Sequence, residues 1–358
     1  MARIVGIMFD IATIDRSINF PEREARRTSQ REDTMIRRIA TTLLAGWAML
    51  TPLAALAQAK FPDRPLQIIA PYAPGGAADV LSRFLAKELE TRLGQPVIVL
   101  NRPGAGTIIG VQALMQAPKD GYTLFISSNS TFTLNPAVMS NLSYDAARDF
   151  EPLAQIATAN LALVTYADNP AADVKALVAA AKAEPDKLTL ASFGTATVSH
   201  FAGEWFKSVA GIRMAHVPYR GSGPAMNDLV GKHVPFLIDT IVAARPQIEG
   251  GKIRALAVTS AQRSAMLPEV PTLQELGYRG IDLSSWIALV TAKGIPAEAK
   301  ARLSEALADV LRDPAARASM TKSGFEPVHR VYTDWPREIT TEIEAMKAIA
   351  KDANIKAD

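Results

Sequence analysis

Cysteine is absent from all 358 residues, which excludes disulfides, thiolate metal sites, a cysteine nucleophile and an N-terminus lipidated on cysteine. Aromatic residues are scarce, at 6% against an apolar fraction of 48%. The interior must therefore be aliphatic, and there is enough of it for two α/β cores. Charge of one sign is also lacking. Lys and Arg number 39 against 36 Asp and Glu, and beyond residue 59 the balance is 31 to 30, which argues against a nucleic-acid partner. Beyond the N-terminal region, no apolar run is long enough to span a bilayer.

The N-terminal region itself reads as an export signal. From Met35, Ile36-Arg37-Arg38 supplies a positive start, Ile39 to Leu53 an apolar stretch, and Ala55-Leu56-Ala57 or Ala57-Gln58-Ala59 a small-x-small cleavage site. Residues 35–59 are accordingly expected to be a signal peptide. Residues 1–34 are charged and without apolar periodicity, as expected of an extension from a start codon placed too far upstream.

The mature chain is organised around Pro71-Tyr72-Ala73-Pro74-Gly75-Gly76-Ala77-Ala78-Asp79. Strand-like Leu66, Ile68 and Ile69 precede this loop, and Val80, Leu81, Phe84, Leu85 and Leu89 follow at helical spacing until Gly94 and Pro96. It therefore opens a helix N-terminus, where free amides and the positive end of the dipole favour an anion. Asp79, near the third helical position, either belongs to that site or bonds back to the amide of the helix cap. A second strand at Val97–Leu100 runs into Asn101-Arg102-Pro103-Gly104-Ala105-Gly106, and a third at Tyr122–Ile126 into Ser127-Ser128-Asn129-Ser130-Thr131. All three loops lie at strand C-terminal ends, the ligand edge of open parallel sheets. Gly104-x-Gly106-x-x-x-Gly110 has the wrong spacing and place for a dinucleotide fingerprint.

Leu153–Thr158 and Leu161–Val164 read as a crossing into a second lobe. There Ser192-Phe193-Gly194-Thr195-Ala196-Thr197-Val198-Ser199-His200 mirrors the first loop. Pro218-Tyr219-Arg220-Gly221-Ser222-Gly223 and Asp239-Thr240 end further strands, and Ser285–Val290 is the return crossing. The rest, Pro296–Leu311 and Trp335–Ala350, is expected to be helical. Two loops rich in glycine and hydroxyls, on separate α/β lobes joined by two crossings, describe a clamshell receptor better than an enzyme. Asp239 either recognises an amine or hydroxyl of a ligand or caps the following helix. Arg220 either pairs with a second ligand carboxylate or is solvated. His200 and Glu204 share a helix face, but no third metal ligand is evident, since His216 lies in a strand. Ser222 lacks the flanking pattern of a nucleophile elbow, which leaves an exported α/β hydrolase as the alternative reading.

Phe61-Pro62-Asp63-Arg64-Pro65, the Pro-Gly-Gly-x-x-Asp loop, Leu93-Gly94-Gln95-Pro96-Val97, Asn101 to Gly106, Asp120-Gly121-Tyr122-Thr123-Leu124, His216-Val217-Pro218-Tyr219-Arg220-Gly221 and Pro268-Glu269-Val270-Pro271-Thr272 together resemble the Bug-type receptors of tripartite tricarboxylate transporters. The resemblance runs from Phe61 almost to the C-terminus. It implies a type II-like periplasmic-binding-protein clamshell, with lobe 1 at 60–160 and 286–358 and lobe 2 at 161–285. A small carboxylate would bind between the lobes and be delivered to integral-membrane transporter subunits. A monomer without cofactor, metal, nucleic acid or catalysis is expected; a receptor presenting its ligand to a signalling partner is the other non-enzymatic reading. The family's ligand loops fall on Tyr72, Ala73, Pro74, Gly75, Gly76 and Asp79, on Ser128 and Asn129, on Ser192, Gly194, Thr195, Thr197 and His200, and on Tyr219, Arg220, Gly221 and Asp239. Tyr72-Ala73 stands where Phe and Pro are more usual, Ala78 where a small polar residue often stands, and Ala196 where glycine is expected.

Overall fold

The structure, a computed structural model, describes residues 61–356; the extension expected at 1–34 and the signal peptide at 35–59 lie outside the described residues. The chain opens with β1 (Leu66–Ala70), α1 (Ala77–Leu93), β2 (Val97–Asn101), α2 (Ile108–Gln116) and β3 (Thr123–Ser128). A π-type turn at Ser130–Leu134 and the short α3 (Asn135–Val138) lead to β4 (Phe150–Ala159). After Asn160 the chain enters a second sheet as β5 (Leu161–Tyr166). There follow α4 (Val174–Ala183), β6 (Thr189–Ser192), α5 (Val198–Ala210), β7 (Ala215–Pro218), α6 (Ser222–Val230), β8 (Phe236–Thr240), α7 (Ile241–Glu249) and β9 (Ile253–Val258). β10 (Ser285–Ala292) returns to the first sheet, and α8 (Ala297–Arg312), α9 (Pro314–Lys322), β11 (Glu326–Arg330) and α10 (Trp335–Asp352) complete it.

The strand orders are β11-β4-β10-β3-β1-β2 and β7-β6-β8-β5-β9. In each sheet the strand arriving from the other one, β10 or β5, runs antiparallel to both its neighbours. The remaining strands of each sheet share one direction, apart from the edge strand β11. This is the two-lobed α/β clamshell with two crossings that the sequence leads one to expect. β11 departs from the all-helical C-terminal portion expected from the pattern. Its sequence, Glu-Pro-Val-His-Arg, has no strand alternation, and it survives at an edge, where a proline is tolerated.

Helices cover both faces of each sheet, so central strands are buried on both sides. In β3, Leu124 and Ile126 join the core under α1 and α8, while Phe125 joins an aromatic core with Phe132, Phe150 and Trp335. β8 does the same in the second sheet, with Phe236 and Ile238 toward α5 and Leu237 toward α6. The crossings are tied together at Asn160, whose Nδ2 donates to Glu326 Oε1 at 2.8 Å and whose Oδ1 accepts from Ser284 Oγ at 2.8 Å. α10 spans both cores, with Trp335 and Ile339 in the aromatic core of the first sheet and Ala350 in the second, where Ile355, just past the helix end, joins it. Among the described residues no helix is long and apolar enough to cross a membrane.

Candidate functional site

The loop after β1 is held from behind. Asp79 accepts from Gly75 N at 3.1 Å, from Arg83 Nη2 at 2.9 Å and from Asn101 Nδ2 at 2.9 Å. Burial alone would push its carboxyl up, but these donors hold it below the usual carboxylate range. Asp79 does bond back to the loop, but to the amide of Gly75, one residue before the cap, and not to the cap amide itself. Gly76 is the N-cap of α1 at φ −87°, ψ 172°, with no side chain to cap the helix, so the first-turn amides have no local acceptor.

The loop before α6 faces this turn from the other lobe. Ala73 N donates to Arg220 O at 3.1 Å. The approach is close because both sides use glycine: a Cβ on Gly223 would stand 2.5 Å from Pro74 O, and one on Gly76 3.0 Å from Ser222 Oγ. Between the loops lies an inner pocket of about 20 Å³, lined by Tyr72, Gly76, Ala77, Ala78, Ser128, Ser285 and Ile287 of the first lobe and Phe193, Ser222 and Thr240 of the second. An outer pocket of about 330 Å³ adjoins it across Tyr72 and Phe193 and is lined by Gly104–Thr107, Gly194, Thr195, Thr197, Tyr219 and Arg220. The outer volume suits a small ligand, and the inner one has room for about one water or one carboxylate oxygen.

A hydroxyl chain joins the lobes. Tyr72 Oη and Ser128 Oγ are 3.2 Å apart, Ser128 donates to Ser130 Oγ at 3.0 Å, and Ser130 Oγ accepts from Val198 N, in the first turn of α5, at 2.9 Å. Burial raises the Tyr72 phenol above its ordinary pKa. Deeper in the second lobe, Asp239 is fully buried. Its Oδ1 accepts from Ser222 Oγ and from Thr240 N, both at 2.7 Å, and its Oδ2 has no partner. Burial pushes its carboxyl up to about 7.

Several side chains expected in the site are tied to the protein itself, including some that line the outer pocket. Asn129 donates instead to Ser284 O at the return crossing, at 2.9 Å. Ser192 Oγ is bonded to Gly194 and to His216 Nε2, Thr197 Oγ1 to Gly194 O at 2.6 Å, and His200 Nδ1 accepts from Ala196 N at 3.2 Å. These side chains fix the shape of the loop. Ala196 stands at φ +57°, a left-handed conformation that explains the expected glycine. Tyr219 Oη donates to Asp228 at 2.6 Å. Arg220 is exposed on the rim of the outer pocket. Pocket residues missed in the sequence include Ser222, Thr240, Ser285, Ile287 and Met139, while Phe193 and Gly104–Gly106 stand in loops that the sequence places at the ligand edge; a signal existed in the hydroxyl-rich and glycine-rich strand ends, but which of them meet across the lobes depends on the packing.

Sequence reasoning also missed a neighbour of His200 and Glu204. His216 stacks on His200 with ring centroids 4.0 Å apart, and the ligand atoms of His200, Glu204 and His216 lie within 4.8 Å of one another. Glu204 is already paired with Lys207 at 2.7 Å. Burial first, then Lys207, lowers His200 to about 4; burial first, then His200 and Lys207, lowers His216 to about 3. Both values are depressed, so the unfolded chain takes up these protons first. Stability is fully present above about pH 6.5 and is lost as pH falls toward 4 and 3. Urea unfolding should show a loss of about 2 kcal/mol per histidine at pH 4.5 relative to pH 7. His216→Gln should flatten that slope, and an unchanged slope would show that the pair is not its source.

Comparison with known proteins places the fold among known relatives. The model of the tripartite tricarboxylate transporter family receptor matches residues 81–355. Protein BugT of Bordetella pertussis is 34% identical over 297 residues, which cover 83% of this chain and 91% of that protein. Among solved structures, Rpa4515 of R. palustris with adipate superposes with a TM-score of 0.79 at 31% identity, covering 83% of this chain and 99% of that one. The periplasmic binding protein BugD does so with a TM-score of 0.78 at 30% identity, covering 83% and 99%. The chain belongs to the tripartite tricarboxylate transporter receptor family.

Proposed function

We propose that this solute-binding receptor is exported to the periplasm, captures a small carboxylate between its lobes, and delivers it to the membrane subunits of a tripartite tricarboxylate-type transporter without chemical change. The observation that carries this reading is the uncapped N-terminus of α1 at Gly76, opposed across the inner pocket by hydroxyls of the second lobe. Backbone amides pointing at a helix start hold an anion without a cationic side chain, and the hydroxyls complete its shell. The adipate named for one structural neighbour is a carboxylate, and the leader pattern at 35–59 supports export. A hydrolytic role has less support, because Ser192, which does meet His216, is 2% exposed and tied to Gly194.

Two measurements test this reading. In a thermal-shift screen against aliphatic, aromatic and amino-acid carboxylates, the cognate ligand at 100 times Kd should add about 2.7 kcal/mol. In small-angle scattering the same ligand should make the protein more compact, because the loops in contact here must part to admit it. Turnover of an ester or amide panel with no carboxylate response would overturn the receptor reading.

A further inference from the structure

Behind the Ser222 and Thr240 wall of the inner pocket lies an acid, Asp239, where a carboxylate receptor would be expected to avoid one. Asp239 touches the pocket through Ser222 and Thr240, and no cationic side chain lines that pocket. A ligand carboxylate at the Gly76–Ala78 amides would lie beside Ser222, since Ser222 Oγ stands only 3.0 Å from where a Cβ on Gly76 would be. The Ser222 hydroxyl has one hydrogen, and it is given to Asp239 Oδ1. Toward the pocket Ser222 can therefore only accept. Behind it, Asp239 Oδ2 is buried and unpartnered, which is costly unless something supplies a donor. An unsubstituted carboxylate supplies none and, once Asp239 ionises, adds like-charge repulsion.

We propose that the ligand is a carboxylic acid with a hydrogen-bond donor, hydroxyl or ammonium, on the carbon next to its carboxylate, and that Ser222 reads this donor with Asp239 as its positioning residue. This rests on the carboxylate-receptor reading above and narrows it. The carboxylate lies on the α1 amides, the adjacent donor points to Ser222 Oγ and the Asp239 carboxylate, and the rest of the molecule extends past Tyr72 and Phe193 into the outer pocket. An ammonium would also neutralise Asp239, whereas a hydroxyl would only bond to the Ser222–Asp239 pair.

Calorimetry on the purified protein with three matched sets tests this: propionate, lactate and alanine; succinate, malate and aspartate; phenylacetate, mandelate and phenylglycine. In whichever set the body fits, the hydroxy or amino acid should bind at least tenfold more tightly than its unsubstituted partner. Ser222→Ala and Asp239→Asn, each checked for folding by circular dichroism, should shrink that ratio to about threefold or less, a change that a merely structural role would not produce. If the amino acid is preferred, repeating the titration at pH 6.5 in buffers of different ionisation enthalpy should show proton release; a hydroxy acid should show none. Equal binding within every set, or a preference that survives in both variants, overturns the donor assignment and leaves the receptor reading standing. No binding in any set overturns both.

Discussion

Gly76→Asp is expected to abolish carboxylate binding while leaving the fold intact. The backbone there has φ −87° and ψ 172°, an ordinary conformation for an L-residue, and Asp is among the best N-caps, so α1 should form at least as well. The site loses twice. The new carboxylate would occupy the amides proposed to hold the ligand, at a cost of about 1.5–3 kcal/mol for each charge-assisted bond displaced, and any side chain at this position meets Ser222 of the other lobe at about 3 Å. Gly76→Ala separates the two effects, since it has the steric clash without the charge, and should weaken binding less than the tenfold or greater loss expected for Asp. Arg220→Gln is the contrast, because Arg220 is exposed on the outer rim and should matter little. Calorimetry on the three variants decides: normal binding by Gly76→Asp with loss in Arg220→Gln would mean that the arginine holds the ligand and the amides do not.

The loop at Gly76 was legible because its information is local. A strand, two prolines, two glycines and a periodic helix stand within thirty residues, and each acts on its immediate neighbours. The same holds for α4, which runs from Val174 to Ala183 between signals in its immediate sequence, the Asp173 cap and Pro185. The second half of the site depends on what packs against what. Ser222, weighed in sequence only as a nucleophile and found lacking, matters because the clamshell brings it against Gly76. Ser130 looked like one hydroxyl in a polar run, yet it accepts the Val198 amide 68 residues away. Asn129, next to it, turns to the crossing instead, because the π-type turn that begins at Ser130 sends successive side chains in different directions. His216 reads as a strand residue until β7 is laid beside β6, which puts its imidazole on that of His200. In each case the residue type was visible and its partner was not.

Asp239→Asn is expected to be more stable than the parent protein at alkaline pH and to lose that advantage in acid. The folded carboxyl is raised to about 7 from an ordinary value of 3.8, so between these values the folded state holds a proton that the unfolded state has released. Its contribution is fully present below about pH 4 and is lost as pH rises through 7. At 1.36 kcal/mol per unit, that is about 4 kcal/mol, most of it the cost of a buried charge with one unpartnered oxygen. Asparagine keeps an oxygen for Ser222 and Thr240 and never ionises, but it leaves an amide nitrogen where Oδ2 was, at about 1–3 kcal/mol. The net expectation from urea unfolding without ligand is a variant about 1–3 kcal/mol more stable at pH 8 and no more stable at pH 4.5. The histidine pair titrates in both proteins and drops out of the difference. A difference that stays constant across this range would show that Asp239 is ionised throughout or does not feel its burial. Strain of this kind persists where function uses it, and the variant that relieves it is the one expected to lose its preference between matched acids. Gain in stability and loss of discrimination in the same substitution would then have one physical cause, a carboxylate kept without a partner until the ligand supplies one.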